Sequence, residues 1–199
     1  SGKMSKIIDN KFNKMSKILD AAYELFTSKS FNNTSIDDVV KKAGIAKGTF
    51  YLYFKDKHDL MDRLVAKKSS AVFKHSLDKL KAEKEKNKMM FDEQIVFLAD
   101  SVVDYMQSHK EMIILLEKKF SYCVKSVSHT DDVELKNDFD ELINENVKNG
   151  FSAEETMKRI YIIIDMVGSV CCDAILFESP FKLDEIKPVL FSSIRKIVS

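Results

Sequence analysis

The chain has 199 residues, of which 45% are hydrophobic, so it is too apolar for a disordered protein and can bury a core. Only 5 glycines and 2 prolines interrupt it, which favours an all-helical fold. Residues 1–88 hold 20 Lys and Arg against 11 Asp and Glu, and residues 89–199 hold 12 against 20. The basic part predicts a polyanionic partner, with chance segregation of solvated charges as the alternative.

The first predicted element is a helix that carries one apolar stripe at i, i+3, i+4 spacing. The stripe consists of Met15, Ile18, Leu19, Ala22, Leu25 and Phe26. After a short polar stretch, Thr34 or Ser35 offers an N-cap for a short helix over residues 36–43. Asp37 or Asp38 follows at the spacing of a capping box, which marks the start of that helix.

Gly44 is predicted to end the second helix, because glycine adopts the left-handed conformation at little cost. Another short helix is predicted over residues 47–53. Two short helices joined by a tight glycine-containing turn are typical of a helix-turn-helix. Such short helices need packing against the first helix, and Phe50 and Phe54 are the expected core residues.

From Asp56 to the end, the pattern remains helical. Further helices are predicted at about 56–88, 89–108, 110–127, 131–148, 153–178 and 183–198. The predicted fold class is therefore all-α, with about nine helices. It comprises an N-terminal three-helix module with a helix-turn-helix and a C-terminal helical bundle. We expect a first domain over residues 1–56 and a second over residues 57–199.

Three runs of sequence near the N-terminus resemble the TetR family of bacterial regulators. They are ILDAAYELF at 18–26, FNNTSIDDV at 31–39 and KAGIAKGTFYLYFKDK at 42–57, followed by Asp59-Leu60. The resemblance covers about residues 14–64. It departs at Ser30, where family members usually have glycine, so a left-handed serine is expected there. The resemblance implies a DNA-binding helix-turn-helix, a homodimer and a ligand-sensing second domain.

By this resemblance, eight residues are expected to contact double-stranded DNA. They are Thr34, Ser35, Lys47, Gly48, Thr49, Tyr51, Tyr53 and Lys57. A recognition helix presents its first residues to base edges and its flanks to phosphates, which suits Lys47, Gly48 and Thr49. Lys57 is expected to hold a phosphate together with the first amides of the next helix. Tyr51 suits core or contact equally, and Lys3, Lys6, Lys11 and Lys14 form either a DNA-binding arm or a frayed tail.

The last two helices carry apolar stripes that, by the same resemblance, pair with their copies in a second subunit. The expected interface residues are Ile164, Val167, Gly168, Cys171, Ile186, Leu190 and Ile194. The alternative is that both helices pack only within their own subunit.

The middle helices are rich in large, adaptable side chains of the kind that line apolar ligand pockets. At the level of the region, the expected pocket residues are Phe91, Phe97, Tyr105, Met106, Met112, Leu116 and Phe120. The same residue types also fill ordinary cores, so this expectation concerns the region and not any single residue.

Several other classes of function find no support in the sequence. The histidines lack H-x-x-x-H spacing and the cysteines lack a C-x-x-C pair, so no metal or cofactor is expected. No nucleophile elbow or phosphate loop is present, and no enzymatic activity is expected. The apolar run over residues 161–177 is interrupted by Asp165 and Asp173 and is shorter than the roughly 20 residues of a membrane span. It is therefore expected to be a core helix, and no signal-peptide pattern precedes the first helix, which predicts a cytoplasmic protein.

The leading hypothesis is a repressor that a mostly apolar small molecule releases from a pseudo-palindromic operator. The alternative is a constitutive or protein-partner-controlled DNA-binding protein without a small-molecule effector.

Overall fold

The computed structural model describes the backbone of residues 2–116 and 132–199 and the side chains of residues 12–115 and 132–199. Within these ranges every regular element is an α-helix, which confirms the all-α fold class. The helices are α1 (Gly2–Lys29), α2 (Ile36–Ala43), α3 (Lys47–Tyr51), α4 (Lys57–Lys84), α5 (Phe91–Ser108), α6 (Lys110–Leu116), α7 (Val133–Val147), α8 (Ala153–Phe177) and α9 (Leu183–Val198). The rest of the predicted helix over 110–127 lies outside the described residues.

The chain folds as two compact units, residues 1–65 (unit 1) and residues 66–199 (unit 2). Unit 1 contains α1 to α3 and the start of α4. Unit 2 contains the remainder of α4 and helices α5 to α9. The expected division by function, at residues 56 and 57, stays a prediction.

The core of unit 1 forms where the α1 stripe meets the short helices. Ile18 and Ala22 are fully buried, and Phe50 and Phe54 are buried with their ring centroids 5.5 Å apart. This burial is consistent with the expected core role of both phenylalanines. Because α2 and α3 are too short to be stable alone, this packing fixes where α3 lies within unit 1.

Local signals set both ends of α2. Ser35 is its N-cap: the Ser35 Oγ accepts the Asp38 N–H at 3.1 Å, and the Ser35 N–H donates to the Asp38 carboxylate at 2.9 Å. Gly44 ends the helix in the left-handed conformation, with φ of 67°. Before α2, Ser30 ends α1 with φ of 72°, the left-handed serine that the sequence predicts.

Unit 2 is built around α8, which packs against α5, α6, α7 and α9. Its buried residues include Ile160, Ile163, Val167 and Cys171. By length and composition, α8 is the one helix among the described residues that is apolar enough to cross a membrane. One face of α8 nevertheless forms the core of unit 2, as expected for a core helix.

Within unit 2, ion pairs join the second part of α4 to α7. Lys74 Nζ lies 2.9 Å from Glu134 and 3.3 Å from Asp132, and Lys81 Nζ lies 2.6 Å from Asp138. Lys84 pairs with Glu145 in the same way. We call these contacts the ion-pair ladder. The hydrogen bonds that these lysines donate to their carboxylate partners raise the pKa of Lys74 and of Lys81 above the usual lysine value.

Candidate functional site

The turn before α3 is fixed by backbone geometry. The Ile45 N–H donates to the Val40 carbonyl at 3.0 Å, directly after the left-handed Gly44. Ala46 is extended and the Thr49 N–H donates to its carbonyl at 2.9 Å, so α3 begins at Lys47. The expected first residue of the recognition helix is therefore the first residue of α3.

Helix α3 buries one side chain and leaves the others accessible. Phe50 is completely buried, whereas Lys47, Gly48 and Tyr51 are exposed and Thr49 is half-buried. Tyr51 is 52% exposed although it packs edge-on against Phe50 at 5.3 Å. The structure thus gives Tyr51 a packed ring and an accessible hydroxyl, which a residue at a contact surface needs.

Gly48 has open space where a side chain would stand. A Cβ placed on it would meet no atom within 4 Å, and its φ is not positive. Neither packing within the chain nor backbone strain therefore requires glycine at this position. Close approach of another molecule to the α3 backbone gives glycine a reason to be there.

Lys47 is held by an ion pair with Asp37 of α2. Lys47 Nζ lies 2.8 Å from one carboxylate oxygen and 3.0 Å from the other, and both side chains are more than half exposed. The hydrogen bond that Lys47 donates to the Asp37 carboxylate raises the pKa of Lys47 above its usual value, so the ammonium stays charged. Exposed pairs of this kind contribute little to stability, so Lys47 can exchange Asp37 for another anion.

Thr34 and Lys57 occupy positions different from those that the sequence suggested. Thr34 is 2% exposed, and its Oγ1 donates to the Ser30 carbonyl at 2.8 Å. Lys57 Nζ donates to the carbonyls of Phe31 and Thr34 at 2.8 and 2.9 Å, and it lies 4.3 Å from the centre of the Phe31 ring. In this conformation both residues stabilise the segment between α1 and α2.

The first amides of α4 are also occupied. Asp56 Oδ1 accepts the N–H groups of His58 and Asp59 at 2.8 and 2.9 Å, and these bonds hold the pKa of Asp56 below its usual value. A carboxylate therefore stands where the sequence suggested that Lys57 and these amides bind a phosphate. In this structure Asp56 takes these amides, and the expected phosphate contact of Lys57 stays a prediction.

Ser35 is exposed at the N-cap of α2 and Tyr53 is half-buried after α3. Unit 1 also displays exposed lysines on several elements, namely Lys14, Lys17, Lys29, Lys41, Lys42, Lys47 and Lys55. Their number agrees with the basic composition of the first part of the chain. The side chains of Lys3, Lys6 and Lys11 lie outside the described residues.

Unit 2 contains an apolar cavity of about 80 Å³. Its walls come from α4, α5, α6, α7 and α8. The lining residues are Ser69, Val72, Phe73, Ile95, Leu98, Ala99, Val102, Met106, Met112, Phe139, Leu142, Ile160, Ile163, Ile164, Val167 and Gly168. The cavity thus lies in the region that the sequence suggested for a ligand.

The residues expected to line that pocket divide into three groups. Met106 and Met112 line the cavity. Phe91 is buried elsewhere, Phe97 is half-buried, and the Tyr105 ring stacks on His109 at 4.1 Å. The side chain of Leu116 and all of Phe120 lie outside the described residues. The set of single residues expected from the sequence includes none from α4, α7 or α8, because their apolar stripes look the same as ordinary core.

The residues expected at a subunit interface lie mainly inside unit 2. Val167, Gly168, Cys171, Leu190 and Ile194 are buried, and Ile164 and Ile186 are half-buried. Of these, Ile164, Val167 and Gly168 line the cavity. In this structure these apolar stripes pack against the core of the same chain, and their role at a subunit interface stays a prediction.

Other apolar residues of α8, α9 and the segment between them remain uncovered. They are Tyr161, Ile162, Phe177, Phe181 and Val189, each between 47% and 67% exposed. Uncovered apolar side chains in such number on two neighbouring helices are typical of an interaction surface.

Cys171 and Cys172 are buried in α8. Burial raises the pKa of Cys171 to about 11, so its thiol is not reactive at neutral pH. Among the side chains of residues 12–115 and 132–199, no three of His, Cys, Asp or Glu come together as metal ligands.

Residues 18–64 match the family described as bacterial regulatory proteins, tetR family. The HTH-type transcriptional regulator YvdT of Bacillus subtilis (strain 168) is 36% identical over 106 residues, which are 51% of this chain and 50% of that protein. The fatty acid metabolism regulator protein of the same organism is 30% identical over 89 residues, covering 43% of this chain and 46% of that protein. The chain spans half or less of the length of these relatives.

Solved structures share the fold over nearly the whole chain. The fatty acid degradation regulator FadR from Bacillus halodurans superposes with a TM-score of 0.58 at 19% identity, covering 91% of this chain and 94% of that one. FadR from Bacillus subtilis in complex with stearoyl-CoA superposes with a TM-score of 0.55 at 17% identity, covering 92% of this chain and 99% of that one. These likenesses concern the fold, whereas the family match rests on the residues of unit 1. The similarity to bacterial regulatory proteins of the tetR family is therefore a similarity of the N-terminal segment, residues 18–64.

Proposed function

We propose that the protein is a DNA-binding transcriptional regulator whose α3 enters the major groove. The observation that carries this proposal is the division of α3 into a buried Phe50 and an accessible face with Lys47, Gly48 and Tyr51. A short braced helix with small, cationic and hydroxyl-bearing residues on its open face has the chemistry that base edges and phosphates require. The basic surface of unit 1 supplies attraction to the phosphate backbone.

The burial of individual residues refines their proposed roles. Those with accessible groups are proposed to contact DNA: Ser35, Lys47, Gly48, Thr49, Tyr51 and Tyr53. Thr34 and Lys57 are assigned to positioning, because their polar atoms bind carbonyls between α1 and α2. A positioning residue affects DNA affinity only through the shape and stability of unit 1.

We further propose a homodimer through the uncovered faces of α8 and α9. A pairing there covers Tyr161, Ile162, Phe177, Phe181 and Val189, which water otherwise surrounds. Two copies of α3 then read two half-sites of a pseudo-palindromic operator, about 34–36 Å apart or a multiple of that.

The regulation we propose is release from the operator by a small, mostly apolar molecule in the cavity of unit 2. The cavity supports this, since a filled core favours the alternative of a constitutive or protein-partner-controlled binder. A solved relative in fold holds stearoyl-CoA, an apolar chain with a polar head. A coupling of 1–3 kcal/mol, about 5- to 150-fold in affinity, is sufficient for such a switch.

Selection of bound duplexes from random DNA, followed by salt titration of the selected site, tests the proposal. We expect log affinity to fall linearly with log salt concentration, and Lys47→Ala to reduce the slope by about one. Tyr51→Ala is expected to weaken binding by about 1–2 kcal/mol, the usual cost of a lost hydrogen bond and ring contact.

Lys42→Ala is the matched control, since Lys42 is an exposed lysine of α2 in a similar ion pair, 2.6 Å from Glu24. It removes the same charge from unit 1 without touching α3. Equal losses for Lys42→Ala and Lys47→Ala contradict a specific role for α3, and selection of no duplex contradicts DNA binding altogether. If DNA binds and no apolar compound changes its affinity, the constitutive or partner-controlled alternative is favoured.

A further inference from the structure

The cavity in unit 2 has one unusual wall residue. Ser69 of α4 is 1% exposed, and its Oγ has no hydrogen-bond partner within the described part of the protein. Among the described residues that line the cavity, it is the one with a hydroxyl, amide or charged side chain. A buried hydroxyl without a partner destabilises a fold, so its presence here calls for a reason.

From this arrangement we infer that the cavity takes a neutral, mostly hydrocarbon molecule whose single oxygen or nitrogen function hydrogen-bonds to Ser69 Oγ. Aliphatic alcohols, ketones and esters belong to this class. The inference rests on the proposed function, because it assumes that the cavity is the site where the effector binds. It adds which chemical class of effector the cavity accepts.

The lining argues against a charged group inside the cavity. Among the described residues that line it, none is Lys, Arg, His, Asp or Glu. An ionised carboxylate or phosphate placed against these residues loses its hydration and meets no opposite charge among them, which strongly disfavours it. A ligand with an anionic head must therefore leave that head outside and insert only its hydrocarbon part.

The lining also argues against water as the natural partner of Ser69. A buried water molecule needs two to four polar partners, and the described lining side chains offer it one, the Ser69 hydroxyl. A ligand that brings one polar atom and fills the remaining space with carbon satisfies both the hydroxyl and the apolar walls.

The size of the cavity limits the ligand. Its volume of about 80 Å³ is smaller than the roughly 150 Å³ of an engineered cavity that binds benzene. A slender chain therefore fits better than a rigid ring system. Met106 and Met112, which are unbranched and flexible, line the same space and can move aside for a longer chain.

Isothermal titration of the full-length protein with 1-hexanol and with hexanoate tests the inference. These probes share a hydrocarbon tail and differ in charge. We expect 1-hexanol to bind at least about 100-fold more tightly than hexanoate, because the cavity cannot compensate a carboxylate. Ser69→Ala is expected to lower the affinity for 1-hexanol about three- to ten-fold, the usual contribution of one neutral hydrogen bond.

Two variants control this measurement. Ser76→Ala removes another buried hydroxyl that has no hydrogen-bond partner, seven residues further along α4 and outside the cavity lining, so 1-hexanol affinity should not change. Ala99→Leu places a larger side chain in the cavity wall and should abolish binding of 1-hexanol. Thermal unfolding of each variant establishes that it is folded.

Comparable affinity for hexanoate and 1-hexanol overturns the inference, as does unchanged 1-hexanol affinity in Ser69→Ala or absence of 1-hexanol binding. Operator affinity is measured separately. Failure to bind DNA contradicts the proposed function and leaves the ligand chemistry standing. Binding of 1-hexanol without any change in operator affinity contradicts release by ligand alone.

Discussion

Lys47 at the start of α3 and Asp37 in the first turn of α2 form an ion pair at 2.8 Å on the open surface of unit 1. Lys47, which we propose to contact DNA, is therefore already paired with a carboxylate in the free protein. To contact a phosphate, the ammonium must leave Asp37 or share its hydrogen bonds with it. Asp37 thus restrains Lys47 in the free protein and adds a negative charge close to the proposed interface.

Replacing Asp37 by Asn should therefore strengthen DNA binding. Release of an exposed ion pair is worth up to about 1 kcal/mol, so we expect affinity to rise about two- to five-fold at low salt and less at high salt. Fluorescence anisotropy with the selected duplex measures this. Glu24→Gln, which releases Lys42 from a comparable exposed pair, is the control and should have a smaller effect. Equal gains in both variants indicate a general charge effect.

Lys57→Met should destabilise unit 1. The variant keeps the hydrocarbon stem but removes the ammonium donor from the carbonyls of Phe31 and Thr34, of which the Phe31 carbonyl still accepts the Thr34 N–H at 3.3 Å. We expect a cost of about 1–3 kcal/mol in the free energy of unfolding. Chemical denaturation measures this cost. Lys55→Met, at an exposed neighbour, should cost less than about 0.5 kcal/mol. Unchanged stability combined with weaker DNA binding contradicts the positioning role and restores the phosphate contact.

Ser30→Gly should stabilise unit 1 by about 1 kcal/mol, because the left-handed conformation strains serine, which has a Cβ, and does not strain glycine. The Ser30 carbonyl that accepts from Thr34 is retained in this variant. Ser28→Gly provides the opposite control, since Ser28 lies within α1 and glycine costs about 1 kcal/mol inside a helix. Equilibrium unfolding should therefore shift in opposite directions for the two variants.

Ile162→Lys should convert a dimer to a monomer. Ile162 is 53% exposed in the absence of a partner, and a lysine at the centre of an apolar interface must lose its hydration. Sedimentation velocity reads the assembly state directly. Val133→Lys, at another exposed apolar residue on α7, should leave the dimer intact. A native protein that sediments as a monomer at micromolar concentration refutes the proposed interface.

Alkylation of Cys171 by iodoacetamide should be slow at pH 8, because a pKa of about 11 leaves almost no thiolate. The folded pKa is raised above the unfolded value of about 9, so folding favours the neutral thiol. Its contribution to stability is full below pH 9 and is lost as the pH rises towards 11. Peptide mapping by mass spectrometry measures the extent of alkylation at Cys171. Rapid alkylation of the native protein at neutral pH contradicts the burial of this thiol.

The features of unit 1 that depend on local chemistry are predictable from sequence. Ser35 and Asp38 mark the start of α2, Gly44 marks its end, and Ser30 reveals a left-handed position, because each acts on neighbouring backbone groups. The position of Lys57 was not predictable, since its partners lie 23 and 26 residues earlier in the chain. Only the packed structure brings those carbonyls within reach of its ammonium.

The sites in unit 2 were predictable by region and not by residue. Ile163, Ile164 and Val167 follow the same period whether they face a cavity, a core or another subunit. Helical periodicity identifies which side chains share a face, but it does not identify what that face meets. Ser69 gives no signal in the sequence, because its unusual property is the lack of a partner in the folded unit.

The ion-pair ladder makes the wall of the cavity between α4 and α7 easier to displace than its other walls. Helices α4 and α7 both contribute to the cavity wall, through Val72 and Phe73 on one side and Phe139 and Leu142 on the other. Beyond these contacts, long lysine side chains hold the two helices together, and Coulomb attraction weakens only gradually with distance. A tightly interdigitated apolar seam resists a small separation far more strongly. When a bulkier ligand enters, the cavity should therefore expand by separation of α4 from α7. The ion pairs between these two helices then lengthen, while the packing of α8 against α5 and α9 stays intact.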